Sequence, residues 1–211
     1  AISDMLGPDV NIAHGNHFSQ EDVQTAVDAG VSFSATPEVE MQMGHGIPVT
    51  GKVVEAGGRP AWGVDVCSNV SGDMTTQMRI GLQVHRMLTN QPTLEAGEEV
   101  LDVDLTARDT LEMATVEGAK ALGIADQIGT LTPGKRADVV MVDASDFMTA
   151  PAHSPVQTVV FEANPHHIDT VLVDGEVVKA DGELLNPLVE EEHDRFVESG
   201  RRLVEEAGID L

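Results

Sequence analysis

The chain has 211 residues, 41% of them hydrophobic, enough for one large domain or one and a half ordinary ones at ~100–200 residues each. No apolar run approaches the ~20 residues of a membrane span, which argues against an integral membrane protein. Lys and Arg number 12 against 36 Asp and Glu, a formal net charge of −24, and that field repels nucleic acid and anionic membrane surfaces.

The first hundred residues alternate short apolar runs with helical patterns, the signature of consecutive βα units and a parallel sheet. A buried strand is expected over 10–13. Ser19 then caps a helix to about Ala29, with Asp22 at the capping-box position and Gly30 as the stop. A second strand, 31–35, is followed by a long loop through Pro37 and Gly44 to Pro48. A short helix over 49–56 stops at Gly57 and Gly58. The third strand is 60–64, and a helix over 72–88 places Met74, Met78, Leu82 and Met87 near one face, where they read as core.

After Asn90-Gln91-Pro92 the character changes. One strong helix is expected over 106–122, capped by Thr106 with Asp109 three residues later and closed by Gly123. Short β runs follow at 139–142, 156–161 and 168–173, the last joined through Asp174-Gly175 to 176–180. Asp-Gly between alternating apolar residues is a strong hairpin signal, and Asp181-Gly182 repeats it at once. Residues 187–207 read as an amphipathic helix with an acidic outer face.

The acid is spread along the chain, with local runs at 95–104 and 189–198, so it describes a solvated surface rather than an acidic arm. The lysines are Lys52, Lys120, Lys135 and Lys179; an acidic, lysine-poor surface is what a protein adapted to high intracellular salt shows, where screening relieves self-repulsion. The single Cys67 excludes an internal disulfide framework and fits a reducing, cytoplasmic setting. With aromatic residues at 3% and no Tyr, platforms for stacking bases or sugars are not expected.

Two polar groups fall at the C-terminal ends of expected parallel strands: His14 and His17 after the first, Asp65 after the third. In a closed β/α barrel that rim is where catalytic groups converge. An imidazole and a carboxylate there can serve a divalent metal and move protons to and from its water. A His packed over a loop and an Asp capping the next helix are the bland alternatives. Cys67 lacks a cationic neighbour and reads as a buried structural thiol. His166-His167 reads as a surface pair, His45 as a loop residue over the rim, and Arg79 as a partner for acid at the helix–barrel interface.

Three blocks carry a resemblance: VNIAHGNHF (10–18), GVDVCSN (63–69) and IGTLTPGKRADVV (128–140). They resemble, in order and spacing, the amidohydrolase superfamily, and more narrowly its cytosine deaminase, S-adenosylhomocysteine deaminase and triazine chlorohydrolase branch. The resemblance implies an α/β fold: the C-terminal part of a (β/α)8 metal-dependent hydrolase barrel plus strands of a small β-sandwich, to which IGTLTPGKRADVVMVD (128–143) and VLVDGEVVKADGEL (171–184) would belong. It implies three portions: 1–127, the last three βα units and following helices; 128–186, the sandwich portion; and 187–211, a C-terminal helix.

By the same resemblance His14 matches the histidine ending the sixth barrel strand, which polarises the substrate and its attacking hydroxide. Asp65 matches the aspartate ending the eighth, a metal ligand that shuttles the proton. His17, Glu38 and His45 fall where the substrate is contacted, although TPEVEMQMGHGIP (36–48) departs from the family's usual Asn-rich stretch. The implied cofactor is a divalent metal, zinc, with iron as the alternative.

The implied activity is metal-dependent hydrolysis of a carbon–nitrogen (non-peptide) or carbon–chlorine bond in a ring or amidine substrate, with deaminase-like chemistry. The implied partners are a small-molecule substrate and, in the full-length form, further copies of the same chain. The family's strand-one His-x-His and strand-five histidine have no counterpart, so the chain reads as the C-terminal portion of a longer protein. By itself it should be inactive, with one strand edge unpaired and apolar faces uncovered. The rival reading is a non-catalytic homologue or fragment acting as a binding or assembly module.

Overall fold

The computed structural model describes residues 5–209, except for the side chain of Glu190. Three short parallel strands, β1 (Asn11–Ala13), β2 (Ser32–Ala35) and β3 (Ala61–Trp62), pair in chain order. Between β1 and β2 runs helix α1 (Gln20–Asp28), opened by the expected Ser19–Asp22 capping box. Its Val23 and Ala26 are buried, three residues apart and so on one helical face.

Between β2 and β3 lie two helices, α2 (Pro37–Gln42) and α3 (Thr50–Glu55). The first replaces the expected long loop. Pro37 sits at its first position, where the missing N–H costs nothing, and the Glu40 carboxylate accepts the Thr36 N–H at 3.0 Å, satisfying a donor at the helix start.

Helix α4 spans Met74–Glu95 and passes through Pro92, beyond the expected stop near Leu88. The proline falls in the last turn. The end is set instead by Gly97, in the left-handed region at φ 74°, with Glu98 N–H bonded back to the Thr93 carbonyl. Met78 and Leu82 are buried as expected, whereas Met87 is 60% exposed, because a step of five residues from Leu82 leaves the buried face. Close approach of α4 to β3 requires glycine at position 81: a Cβ there would lie 2.6 Å from the Trp62 ring.

The helix expected over 106–122 is two, α5 (Ala107–Met113) and α6 (Val116–Ala121). The Thr106–Asp109 capping box opens α5 as expected. The chain breaks at Thr115 (φ −129°, ψ −80°), whose hydroxyl donates back to the Leu111 carbonyl, a competitor to helical continuation.

The second sheet is antiparallel, ordered β4 (Val139–Val142), β5 (Ile168–Val173), β6 (Glu176–Ala180) and β7 (Glu183–Leu184). Both Asp-Gly pairs turn the chain with positive φ at each residue, Asp174 at 51° and Gly175 at 86°, Asp181 at 51° and Gly182 at 78°, the backbone that a two-residue hairpin needs. Helix α8 (Val189–Ala207) follows, over nearly the span expected of a helix from 187 to 207.

The expected strand over 156–161 is absent. Residues Pro155–Gln157 form a helical turn, α7, that continues as a wider turn over Thr158–Glu162. Val156, Val159, Val160 and Ala163 recur at helical spacing, and Val160 and Ala163 are fully buried. This turn packs on α4 and α5. Arg79 is held here by the carbonyls of Val160 and Ala163, not by an acid as expected.

One core joins these parts, with Val23, Phe33, Val49, Val53, Trp62, Met78, Leu82, Met113 and Val160 in a single cluster. It lies on the Phe33, Ala35 and Trp62 side of the parallel sheet. The other side carries Asn11 and Ala13 of β1 and Ser32 and Ser34 of β2, in register, with Asn11 bonded to both serine hydroxyls. This face of the sheet is thus made of small residues, with Ala61 of β3 beside Ser34.

Candidate active site

His14 follows β1 directly, and its N–H extends the ladder to the Ser34 carbonyl at 2.8 Å. Asp65 lies three residues past β3. Both have left-handed backbones, φ 65° and 67°, a region that costs a residue with a Cβ on the order of 1–2 kcal/mol. Of the other three non-glycine residues in that region among the described residues, Asp174 and Asp181 are hairpin corners. His14 and Asp65 are instead turned toward each other across the rim of the parallel sheet. His14 Nε2 lies 3.8 Å from Asp65 Oδ2, and each side chain is about one-third exposed, at 35% and 34%.

The other ring nitrogen, His14 Nδ1, meets Glu40 Oε1 at 3.1 Å and Thr36 Oγ1 at 3.0 Å. Glu40 is fully buried. The His45 ring stands edge-on to His14 with centroids 6.3 Å apart, after the His45 N–H ties back to the Glu40 carbonyl at 2.8 Å. His17 borders the same loop, its Cε1 3.8 Å from where a Cβ on Gly46 would lie. The rim thus gathers His14, Asp65 and His45, with His17 beside them.

Glu38 stands apart. Its carboxylate accepts the Ser71 hydroxyl at 2.7 Å and the Gln77 amide at 2.5 Å. The same short helix sends the Gln42 amide to Asn69. Helix α2 therefore holds His14 through Glu40 and fastens the loop that carries Asp65 through Glu38 and Gln42. That loop ends at Asp73, the N-cap of α4. Partial burial pushes the Asp73 carboxyl up, but hydrogen bonds from Thr75, Thr76 and Ser71 outweigh it and leave the group below its ordinary value.

Other sequence expectations are corrected. Cys67 is exposed, since it lies in this loop two residues past Asp65 rather than in a strand. His167 is buried, not at the surface: it accepts the Asn164 N–H at Nδ1 and lies 2.9 Å from Asp146 through Nε2. His85, not singled out in the sequence, is buried in α4 with Nε2 at 2.8 Å from Asp104. Glu40 is the site residue that sequence reasoning missed. Its one signal is a carboxylate between Val39 and Met41.

Among the described residues no three His, Cys, Asp or Glu side chains converge as a metal site requires. Asp65 and His14 nevertheless offer the right donor chemistry, a carboxylate oxygen and an imidazole nitrogen. Among the described residues Asp65 accepts no hydrogen bond, and the side chain facing it is His14. The pair fits part of a metal's ligand set and falls short of a whole one.

Three parallel βα strands with a polar strand-end rim, and a small antiparallel sheet beside them, are the C-terminal part of a β/α barrel with its companion sheet. The chain belongs to the amidohydrolase family, whose profile matches residues 3–178. Curated relatives include 5-methylthioadenosine/S-adenosylhomocysteine deaminases from Desulforudis audaxviator, 34% identical over 92% of this chain and 43% of the relative, and from Pyrococcus abyssi, 30% identical with the same coverage. An S-triazine hydrolase from Gordonia rubripertincta is 31% identical over 80% of this chain and 34% of its own length.

Solved structures share the fold. A zinc-bound adenosine deaminase from Xanthomonas campestris superposes with a TM-score of 0.81 at 24% identity, covering 96% of this chain and 44% of that one. An atrazine chlorohydrolase from Arthrobacter aurescens TC1 complexed with zinc gives 0.76 at 21%, covering 91% and 41%. The chain spans less than half the length of these relatives. No described helix is long and apolar enough to cross a membrane.

Proposed function

We propose that these residues form the C-terminal portion of a metal-dependent hydrolase that cleaves a carbon–nitrogen or carbon–chlorine bond of a ring or amidine substrate, in the manner of a deaminase. One observation carries this reading. His14 and Asp65, at the ends of parallel strands two βα units apart, are held in left-handed backbones with Nε2 3.8 Å from Oδ2 on an open rim. The names of the relatives support the substrate class.

Asp65 would be one ligand of a divalent metal, zinc or iron, and the other ligands would come from outside these residues. Such a metal, when bound, makes water acidic enough to react near neutral pH. The rest falls to the chain's own groups. Asp65 Oδ2 takes a proton from the attacking water and returns it to the leaving nitrogen or, for a chloride, releases it to solvent. His14 Nε2 faces the same space and polarises the group under attack. His45 and His17 border it and contact the substrate. Glu38, already occupied by Ser71 and Gln77, serves the substrate indirectly by fixing the Asp65 loop.

Metal analysis of the complete protein, combined with hydrolysis of a panel of ring amines and ring chlorides, tests the proposal. Bound metal with turnover that Asp65→Asn abolishes is the expected result; full turnover by that variant would remove Asp65 from the mechanism. Residues 1–211 alone are expected to be inactive, and the complete protein to be a cytoplasmic homo-oligomer, which sedimentation and fractionation check. The lack of a third metal-binding side chain among the described residues favours one rival, a non-catalytic binding or assembly module. A complete protein that binds no metal and hydrolyses nothing in the panel would establish it.

A further inference from the structure

We infer that Glu40 is a positioning residue that keeps a proton on His14 Nδ1 and so holds the ring with Nε2 facing Asp65 and the substrate space. The inference rests on the proposed function for its catalytic meaning, but its structural content stands on the hydrogen-bond geometry alone.

Glu40 is fully buried, and among the described residues the hydrogen bonds of its side chain all meet on Oε1. The Thr36 N–H lies at 3.0 Å, the Thr36 hydroxyl at 3.1 Å and His14 Nδ1 at 3.1 Å. Oε2 is buried with no partner among the described residues. Thr36 Oγ1 is also 3.0 Å from His14 Nδ1. These contacts require a proton on Nδ1. A hydroxyl has one proton to give and lone pairs to receive. If the Thr36 hydroxyl donates to Glu40, its oxygen accepts the Nδ1–H, which also points at the carboxylate. If Nδ1 were bare, its lone pair would face a buried carboxylate oxygen at 3.1 Å, and the single Thr36 proton could relieve only one of the two acceptors. Burial makes such an uncompensated contact costly.

With Nδ1 committed, the ring cannot flip, because a flip would bring a carbon to Glu40 in place of the donor. Nε2 then stays directed at Asp65 Oδ2, 3.8 Å away. Orientation of a working imidazole through its other nitrogen is a known way of fixing both tautomer and ring plane. No sequence pattern shows this role: Glu40 sits on a six-residue helix that the sequence reads as loop, and it reaches His14 across 26 positions of chain.

The test uses the complete protein with 15N-labelled histidine, the His14 signals being assigned by their loss in His14→Gln. In the parent protein Nδ1 should carry the proton. In Glu40→Met, which keeps the length and removes the acceptor, Nδ1 should lose its fixed proton and the ring should show exchanging tautomers. Hydrolysis should fall on the order of 10–100-fold, the usual effect of losing such a supporting group, and the loss should lie in kcat with KM little changed. Glu40→Gln is isosteric and guards against a folding failure: its amide oxygen still accepts, so the tautomer should persist while the downfield Nδ1–H proton resonance moves upfield as the charge-assisted bond is lost. A parent protein with Nδ1 unprotonated would overturn the inference, as would a folded Glu40→Met whose His14 signals match the parent. If the tautomer shifts as expected but the parent hydrolyses nothing, the positioning holds and the proposed function alone fails.

Discussion

The parallel sheet buries Phe33, Ala35 and Trp62 to within 5% of full coverage and keeps Asn11, Ser32 and Ser34 on its other side. In the antiparallel sheet Val140, Met141, Val173 and Val177 are each about half exposed, at 59%, 53%, 52% and 46%. The first sheet is specified by packing. Its strands are two to four residues long and could not persist without the helices laid over them. The second is specified more by its corners, where the two Asp-Gly turns set the pairs beside them, Val173 with Glu176 and Ala180 with Glu183. Chemistry belongs with the first, since side chains at the ends of packed strands are held still while the loops beyond them vary.

Changes at the rim and core of the parallel part should therefore cost much, and matched changes in the antiparallel part little. The largest effect is expected from Asp65→Asn in the complete protein, which should lower turnover on the order of 10²–10⁴-fold without lowering the unfolding midpoint; steady-state kinetics beside a thermal melt checks both. Next comes Leu82→Ala in the core, expected to cost about 2–5 kcal/mol in a urea titration followed by the fluorescence of Trp62, the single tryptophan. Gly81→Ala should cost about 1–3 kcal/mol despite alanine's better helix propensity, because its Cβ meets the Trp62 ring.

Asp73→Ala should cost about 1 kcal/mol near neutral pH by removing the cap of α4. The Asp73 carboxyl is held below its ordinary value by its hydrogen bonds, so its stabilisation is complete above a pH of about 4 and is lost as pH falls through the lower folded value. Parent and variant melts should converge on acidification. The smallest effect belongs to Met141→Ala, within about 0.5 kcal/mol. A Met141→Ala as costly as Leu82→Ala would erase the contrast between the two sheets.

Much of this was legible in the sequence because local chemistry decides it. Ser19 with Asp22, Thr106 with Asp109, and both Asp-Gly corners occur where the residues indicate, since caps and turns are satisfied within a few positions. What failed was decided over longer distances. Val156 to Ala163 carries β-branched residues, but its spacing of three and four serves a helical turn against α4. Helix α4 overrides Pro92 because the proline falls in its last turn. At the rim, His14 and Asp65 were identifiable as strand-end residues together with a family resemblance. Glu40 was not, because its role exists only when β2 brings α2 across the end of β1.

The left-handed backbone at Asp65 also sets evolvability against durability. Glycine adopts φ near 65° freely and Asp65 accepts no hydrogen bond among the described residues, so Asp65→Gly should raise the melting temperature while removing a group on which turnover depends. His14→Gly should not, because it strips the buried Glu40 carboxylate of a donor. Variants chosen from a thermostability screen should therefore be sequenced at position 65 first, since a gain there marks a site surrendered rather than a fold improved.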